Sequence, residues 1–404
     1  MEQEVFIIDG IRTPIGSFGG TLAPVRTDDL AAIVIKELVR RNPEIPVSEV
    51  EDVILVCHNQ AGEDNRNVAR MALLLAGLPV TIPGETVNRL CASGMSAIVN
   101  AFRGIKAGDG DIYIAGGVEH MTRGPMVISK ASKAFGNDSQ MFDSSFGWRF
   151  VNPKMKEMYG VDAMGVTAEN LAEMYNISRE EQDQFAVRSQ LKAAAAQASG
   201  RLAEEIMPVE IPKRKGDPVI FAVDEFVKPN TNLAGLSKLK AAFKKENGTV
   251  TAGNASGLND GAAAVYIASS QAVEKYNLKP IAKIIASAVT GVEPRIMGIG
   301  PVSASQKALA KAGLTLEDID IIELNEAFSA QSIACIKGLG LSVDDPRINV
   351  NGGAIALGHP LGMSGTRITY SAALELKKQN KKYALATMCV GVGQGYAIIL
   401  EGVS

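Results

Sequence analysis

The sequence predicts an α/β protein made of two similar halves with an inserted segment between them. Three observations support this fold class. Short apolar stretches of strand length alternate with amphipathic stretches of helix length along most of the 404 residues. A motif of the first half recurs in the second half. Between them, residues 123–250 are richer in polar, basic and turn-forming residues.

The first half contains predicted strands and a predicted helix in an alternating order. Apolar and β-branched runs predict strands at residues 5–8, 53–57 and 112–115. Residues 92–107 have helical spacing of apolar side chains and are followed by Gly108, a residue type that commonly ends helices. These elements suit a buried sheet covered by helices.

The second half repeats this order. The segment Val50-Glu51-Asp52-Val53-Ile54-Leu55 is echoed by Leu316-Glu317-Asp318-Ile319-Asp320-Ile321, and Asn59-Gln60-Ala61 is echoed by Asn325-Glu326-Ala327. A small-residue turn, a helix, a Gly or Asn break and a strand entering a glycine cluster follow in each half. In the second half, the helix and strand are predicted at residues 364–378 and 383–387. The matching order predicts a duplicated α/β unit.

The composition changes divide the chain into three predicted units. Residues 1–122 and 251–275 form the first half, residues 123–250 form the insertion, and residues 276–404 form the second half. The insertion carries the basic run Lys213-Arg214-Lys215, which is either a solvated surface or a contact for the phosphates of a ligand. We expect the insertion to cover a site that the two halves build.

The overall charge and hydrophobicity argue against several classes of protein. The 41 basic residues nearly balance the 44 acidic residues, so no general attraction to nucleic acid or membranes is expected. No apolar run reaches the ~18 residues of a transmembrane helix. Neither terminus carries an export, peroxisomal or retention signal. We therefore expect a cytoplasmic protein.

The four cysteines are too few for a disulfide framework in a chain of this length. Cys57 and Cys335 lie in apolar segments and are expected to fill core space. Cys91 lies between an extended segment and the helix that follows it. A thiol at a helix N-terminus feels the positive end of the helix dipole, which favours the thiolate form of a nucleophile.

Two glycine-rich segments add further candidate groups. Residues 349–362 place His359 in a turn before a helix, where a histidine can serve as a general base. His58 and His120, the other two histidines, are expected to be structural. Cys389 is followed by Gly391 and further glycines, whose backbone N–H groups can approach a reacting oxygen closely. The glycine spacing matches neither a dinucleotide fingerprint nor a P-loop.

Together with Asn325-Glu326-Ala327-Phe328, these three segments resemble the four signature blocks of the thiolase family. The resemblance covers nearly the whole chain, including residues 250–257 and 294–301. It implies the five-layer αβαβα thiolase fold and an acyltransferase that makes or breaks the carbon–carbon bond of a 3-oxoacyl-CoA. It also implies that the inserted loop domain binds coenzyme A, and that the protein is a homodimer or homotetramer.

The resemblance implies a role for each candidate residue. Cys91 accepts the acyl group, His359 deprotonates it, and Cys389 moves a proton to or from the α-carbon of acetyl-CoA. Asn325 holds a water that, with the histidine, stabilises the enolate oxygen. The backbone N–H groups of Cys91 and Gly391 form a second oxyanion hole. Coenzyme A or acetyl-CoA is the co-substrate, and neither a metal nor a permanently bound cofactor is expected.

The resemblance also implies a set of coenzyme A contacts. The matching positions are Ser256, Phe328, Ala327, Ala252, Lys228 and Met164. Ser256 and Phe328 match contacts to the pantetheine arm, and Lys228 resembles a basic position near the nucleotide end.

Subfamily features indicate the acyl chain. Ala163 stands where acetoacetyl-CoA thiolases commonly carry histidine, whereas residues 59–70 and 147–153 and Val392 resemble 3-oxoadipyl-CoA thiolases of aromatic-acid breakdown, the beta-ketoadipate pathway. A 3-oxoadipyl group carries a distal carboxylate, which an arginine fork is well suited to bind. Arg149 and Arg66 are the candidates.

Other functions stay open at this point. An acetyl-CoA C-acetyltransferase and a fatty-acid 3-ketoacyl-CoA thiolase differ from the preferred interpretation only in acyl chain. A ketoacyl synthase shares the fold, but Cys389 in its glycine block argues against it. A non-catalytic relative that binds coenzyme A or lipid would be expected to lose Cys91 or His359, and the sequence retains both.

Overall fold

The computed structural model describes residues 3–403 and shows two α/β halves that share one mixed sheet. Before the insertion, the first half contains β1 (Val5–Arg12), β2 (Gly16–Ser17), α1 (Thr27–Arg41), β3 (Asp52–Leu55), α2 (Val68–Leu75), β4 (Gly84–Thr86), α3 (Ser93–Ala107) and β5 (Ile112–His120). The insertion contains β6 (Met126–Ile128), β7 (Met141–Asp143), α4 (Pro153–Tyr159), α5 (Met164–Met174), α6 (Arg179–Ala198), β8 (Val209–Ile211), β9 (Val219–Phe221) and α7 (Leu233–Leu236).

After the insertion, the chain completes the first half and then forms the second. The first half ends with β10 (Asn259–Ser269) and α8 (Ser270–Lys275). The second half contains β11 (Ala282–Gly291), α9 (Gly300–Ala312), β12 (Ile321–Leu324), α10 (Ser329–Gly338), α11 (Ala354–Leu357), α12 (Leu361–Gln379), β13 (Tyr383–Val390) and β14 (Gln394–Gly402).

The two halves have the same strand order and directions. In the first half, β10 pairs antiparallel with β1 and β5, and β3 pairs parallel with β5 and β4. In the second half, β14 pairs antiparallel with β11 and β13, and β13 pairs parallel with β12. A parallel bridge from Ile322 to Ile348 takes the place of β4. The predicted duplication is therefore confirmed.

The halves meet at a short antiparallel pairing between β1 and β11. Phe6 lies opposite Lys283, and Ile7 lies opposite Ala282. Through this pairing, the strands of both halves form one sheet of 10 strands. Helix α3 contacts strands of the first half, and helix α12, which packs against α3, contacts strands of both halves.

Side-chain alternation along the strands separates the layers. Val53 and Leu55 point into one apolar core with α1 and α2, whereas Ile54 points into a second core with α3 and α12. Ile322 and Leu324 point into a third core with α9 and α10. The layers are therefore helix, sheet, central helices, sheet and helix, and the predicted αβαβα architecture is confirmed.

The two central helices approach each other closely at their N-terminal ends. A Cβ on Gly94 of α3 would lie 2.7 Å from the carbonyl oxygen of Gly362, and one on Gly365 of α12 would overlap the backbone nitrogen of Met95. Only glycine permits this distance. Because Cys91 and His359 lie two residues before the two helices, the close contact brings both candidate residues to one place.

Some predicted bounds differ from those observed. The helix predicted from residue 92 begins at Ser93, because Leu90–Ala92 form a separate 3-10 turn. The insertion leaves the sheet after β5 and returns at β10, its neighbour, where His120 pairs with Asp260. The predicted bounds of the three units remain predictions. No helix between residues 3 and 403 is long and apolar enough to cross a membrane.

Candidate active site

Cys91 lies in a tight turn that neighbouring side chains hold in place. Leu90, the preceding residue, has a positive φ of 47°. Its N–H donates to Asn88 Oδ1 at 2.9 Å, and its carbonyl accepts from Ser93 Oγ at 2.6 Å. Ser93 Oγ also accepts from the Arg89 N–H at 2.7 Å. These bonds offset the strain of the left-handed residue and fix the thiol before α3.

The surroundings of Cys91 favour the neutral thiol. Burial raises the pKa of Cys91 to about 11, and the nearby Glu119 carboxylate adds to the rise. The backbone N–H groups of Gly391 and of Cys91 itself act in the opposite direction but do not cancel the effect of burial. The expectation that the helix N-terminus favours the thiolate is therefore wrong for the protein without substrate. A base is needed to remove the proton.

His359 is placed to be that base. Its backbone N–H donates to Asn259 Oδ1 at 3.0 Å, and its ring Nδ1 lies 2.6 Å from Ser364 Oγ. Because the Ser364 hydroxyl donates to the Pro360 carbonyl at 2.8 Å, it accepts from Nδ1–H. Nε2 is then the unprotonated nitrogen that can accept a proton. Burial, and next the Arg367 charge, lower the pKa of His359 to about 3, so the imidazole is neutral.

Asn325 lies beside the imidazole. Its Nδ2 is 3.4 Å from His359 Nε2, and its own N–H donates to the Thr387 carbonyl at 3.0 Å, which fixes it against β13. Asn325 Oδ1 is buried and has no hydrogen-bond partner among the described residues. A buried polar atom of this kind commonly bonds an ordered water. This geometry fits the water that the family resemblance assigns to Asn325.

Cys389 and Gly391 approach Cys91 from the end of β13. Cys389 is buried, and burial, then the neighbouring Cys91 and Cys335, raise its pKa well above the ordinary range of a thiol. The N–H of Gly391 interacts with the Cys91 sulfur. A Cβ at Gly391 would lie 3.2 Å from Leu90 Cδ1. A glycine here therefore keeps the donor close to the nucleophile.

The predicted pantetheine contacts lie together at the edge of the insertion. A backbone bridge joins Ala255 to Phe328, and the Ser256 N–H donates to the Ala327 carbonyl at 3.0 Å. The ring of Phe243 packs edge-on against Phe328, with centroids 6.3 Å apart. The structure thus brings Ser256, Ala327 and Phe328 to one wall.

The remaining predicted contacts flank this wall. Ala252 and Lys228 line a cavity of about 440 Å³. Lys228 Nζ lies 4.9 Å from the ring centre of Phe226, and its N–H donates to Gln190 Oε1 at 2.7 Å. Met164 lies at the other end, where its sulfur is 4.0 Å from the position of a Cβ on Gly391. The roles of these residues remain predictions.

The other predicted cysteines and histidines lie in structural surroundings. Cys57 and Cys335 are buried in apolar cores, as predicted. His120 is buried with its Nε2 3.1 Å from the Leu22 carbonyl. Within residues 3–403, no group of three or more His, Cys, Asp or Glu side chains is placed to hold a metal ion.

The residues predicted from the sequence do not include Ser364, Asn259, Arg367 or Glu119. A serine in the first turn of the helix after His359 was the signal that could have revealed Ser364. Asn259 bonds the backbone of a residue 100 positions away in the chain, and Glu119 bonds the backbone of a residue 61 positions away. No local sequence pattern therefore predicts their roles. Arg367 acts on His359 through its charge alone.

Comparison with known proteins identifies the family. The thiolase N-terminal domain matches residues 5–271, and the thiolase C-terminal domain matches residues 278–402. The chain belongs to the thiolase family. A beta-ketoadipyl-CoA thiolase of Acinetobacter baylyi is 58% identical over 401 residues, which cover 99% of this chain and 100% of that protein.

Two further proteins are similar to this thiolase over almost the whole length of both chains. The 3-oxoadipyl-CoA/3-oxo-5,6-dehydrosuberyl-CoA thiolase of Escherichia coli is also 58% identical, over 99% of this chain and 100% of its own length. The crystal structure of the Bacillus anthracis acetyl-CoA acetyltransferase superposes with a TM-score of 0.92 at 40% identity, covering 100% of this chain and 99% of that one.

Proposed function

We propose that this thiolase cleaves 3-oxoadipyl-CoA with coenzyme A to give succinyl-CoA and acetyl-CoA through an acyl group on Cys91. The chemistry is supported by the position of Cys389 and Gly391 beside Cys91 and by the neutral imidazole of His359, whose turn precedes the helix that packs closely on α3. The acyl chain is supported by full-length relatives at 58% identity that are named for 3-oxoadipyl-CoA or beta-ketoadipyl-CoA.

The first step is attack on the 3-oxo group. His359 Nε2 takes the proton of Cys91, and the sulfur adds to the carbonyl carbon. The negative charge that develops on the oxygen faces the N–H groups of Cys91 and Gly391. Because the resting pair is neutral, the proton moves only when these donors and the substrate stabilise the charges that form.

Collapse of this intermediate breaks the carbon–carbon bond. The acyl group stays on Cys91, and the acetyl-CoA part leaves as an enolate whose oxygen faces His359 and the water at Asn325. Cys389, which holds its proton because burial raises its pKa, protonates the enolate carbon. The Cys389 thiolate takes the proton of the coenzyme A thiol, and the coenzyme A sulfur attacks the acyl-cysteine. The shortened acyl-CoA is released, and the leaving Cys91 sulfur regains its proton from His359. The same groups serve the reverse condensation.

Arg149 is our candidate for the residue that binds the distal carboxylate. It is partly buried, and its Nη1 donates to the Ser144 carbonyl at 3.2 Å. The adjacent Trp148 donates to the Asp162 carbonyl at 3.2 Å, two residues before Met164 at the acyl end of the site. Arg66, the other predicted candidate, is exposed on the loop before α2.

Steady-state thiolysis of 3-oxoadipyl-CoA and of uncharged 3-oxohexanoyl-CoA tests the acyl chain. A site that binds the carboxylate should favour the first substrate by ~10²-fold or more in kcat/KM. Arg149→Gln should remove most of that preference, whereas Arg66→Gln, the matched control, should keep it. Equal efficiency of the wild type on both substrates would contradict this assignment.

An acetyl-CoA C-acetyltransferase is the second candidate function. An acetyl-CoA acetyltransferase of Chromobacterium violaceum is 50% identical over 99% of this chain. Preference for acetoacetyl-CoA in the same assay would select this function and leave the roles of Cys91, His359 and Cys389 in place. The metal-free use of coenzyme A, a homodimeric or homotetrameric assembly and a cytoplasmic location remain our predictions.

A further inference from the structure

Glu119 is a buried carboxylate at the end of β5, and it bonds backbone groups of two distant segments. It is 2% exposed. One oxygen accepts from the N–H groups of His58 and Gly362, each at 3.0 Å, and the other accepts from the Asn59 N–H at 3.3 Å. Burial raises its pKa, while these donors and the His58 charge act in the opposite direction. Besides these three backbone donors, the Cys57 thiol lies 3.8 Å from the oxygen that accepts from Asn59.

The bond to the His58 N–H is connected to the Cys91 turn through Asn88. The carbonyl of His58 accepts from Asn88 Nδ2 at 3.1 Å, and Asn88 Oδ1 accepts from the Leu90 N–H at 2.9 Å. Leu90 is the left-handed residue directly before Cys91. Glu119 thus holds the loop on which the Cys91 turn rests.

The bond to the Gly362 N–H lies beside the candidate base, His359. Gly362 is in the first turn of α12, directly after His359-Pro360. The N-terminus of α12 has no side-chain cap of its own, so its free N–H groups need another acceptor. Glu119 supplies that acceptor from β5, and a negative charge is favoured at this end of a helix. A Cβ at Gly362 would overlap the Val118 carbonyl, so glycine is required for this approach.

We infer that Glu119 is a positioning residue that fixes the Cys91 turn and the His359 turn relative to each other. It lies close enough to Cys91 for its charge to oppose formation of the thiolate. Its backbone bonds go to the loops beside the two candidate groups and not to Cys91 or His359 themselves. Its effect on catalysis passes through the placement of the sulfur and of Nε2.

Glu119→Gln and Glu119→Ala in the full chain test this inference. Three quantities are measured: the rate of Cys91 acylation by succinyl-CoA, followed by mass spectrometry, the rate of Cys91 alkylation by iodoacetamide at the same pH, and the thermal midpoint. Glutamine can still accept from His58 and Gly362 with its single oxygen, so acylation should fall about 10-fold. Alanine removes all three bonds, so acylation should fall ~10²-fold.

Alkylation should change in the opposite direction. Because both variants remove a negative charge near the sulfur, the thiolate forms more readily and iodoacetamide should react faster. If Glu119 only stabilised the fold, its replacement would not change the acylation rate and the alkylation rate of Cys91 in opposite directions. Glu205→Gln is the matched control, since it changes a buried carboxylate that bonds Arg12, Arg201 and Ser371 instead. It should lower the thermal midpoint and leave acylation per folded molecule unchanged.

The inference rests on the proposed role of Cys91, which the wild type tests separately. If succinyl-CoA does not acylate Cys91 in the wild type, the proposed function fails. If the wild type is acylated and both Glu119 variants match its rate, the inference about Glu119 fails. If the alanine variant does not fold, the glutamine variant decides between these results. An equal loss in Glu205→Gln would also overturn the inference.

Discussion

Removing the hydroxyl of Ser364 should slow acylation of Cys91 by roughly 5- to 150-fold. Ser364 Oγ bridges His359 Nδ1 at 2.6 Å and the Pro360 carbonyl at 2.8 Å, and both side chains are buried. In Ser364→Ala, the Nδ1–H is left without its acceptor, which costs about 1–3 kcal/mol. An activation free energy that is higher by about 1.4 kcal/mol slows a reaction tenfold. If the whole cost is added to the activation free energy of acylation, the rate falls by the range given above.

The physical reason is the choice of tautomer. With the serine present, Nδ1 carries the proton and Nε2 is free to accept one from Cys91. Without it, the tautomer protonated at Nε2 becomes competitive, and that form cannot act as the base. The thermal midpoint should change by only a few degrees, because one buried hydrogen bond is lost.

Single-turnover acylation by succinyl-CoA, stopped by acid and read by mass spectrometry, measures the effect directly. Ser371→Ala is the matched control, because it removes another buried hydroxyl of α12 that bonds Glu205. The control should acylate at the wild-type rate. An unchanged rate in Ser364→Ala, or an equal loss in both variants, would refute the reasoning.

Four further predictions address the other groups of the site. Cys91→Ala should abolish the acyl adduct that succinyl-CoA forms with the wild type; an adduct on Cys389 in its place would reverse the two roles. Cys389→Ala should still form the acyl-enzyme but lose ~10²-fold or more in carbon–carbon bond formation, and normal condensation would disprove its role as proton carrier. Asn325→Ala should lower kcat by roughly 10–10³-fold with little change in KM, and an effect on KM alone would contradict this. His359 has a pKa of about 3 in the folded protein against 6.5 in the unfolded chain. Between these values the unfolded state binds more protons, so the free energy of unfolding decreases as the pH falls. In His359→Gln, the free energy of unfolding should therefore depend less steeply on pH in this window, as pH-dependent denaturation would measure.

Much of the site was predictable because its residues stand where the chain direction changes. Cys91, His359 and Cys389 each lie in a turn next to a helix or at the end of a strand, and such residues converge in an α/β fold with parallel strands. The duplication was visible because similar strands need similar apolar residues in each half. These local signals picked out the candidate residues and the duplication, and the family resemblance supplied the five-layer fold.

The electrostatic state of the site was not predictable from the same signals. The helix N-terminus before α3 argues for a thiolate at Cys91, yet burial raises its pKa to about 11. Burial and the position of Glu119 depend on strands that are distant in the chain. Long-range contacts of this kind leave no periodic pattern, and the neutral state of the Cys91–His359 pair therefore emerged only from the fold.

The insertion begins and ends at two neighbouring strands, since His120 of β5 pairs with Asp260 of β10. Its ends are therefore held at one point by the sheet, and changes in its length add little to the entropy of closing the loop. Met164 and Arg149 belong to this segment, whereas Cys91 and His359 do not. On the roles proposed above, natural variation or laboratory exchange of the segment alters which acyl chains are accepted while the bond-making groups stay as they are. The proposed site thereby separates the evolution of substrate choice from that of the reaction.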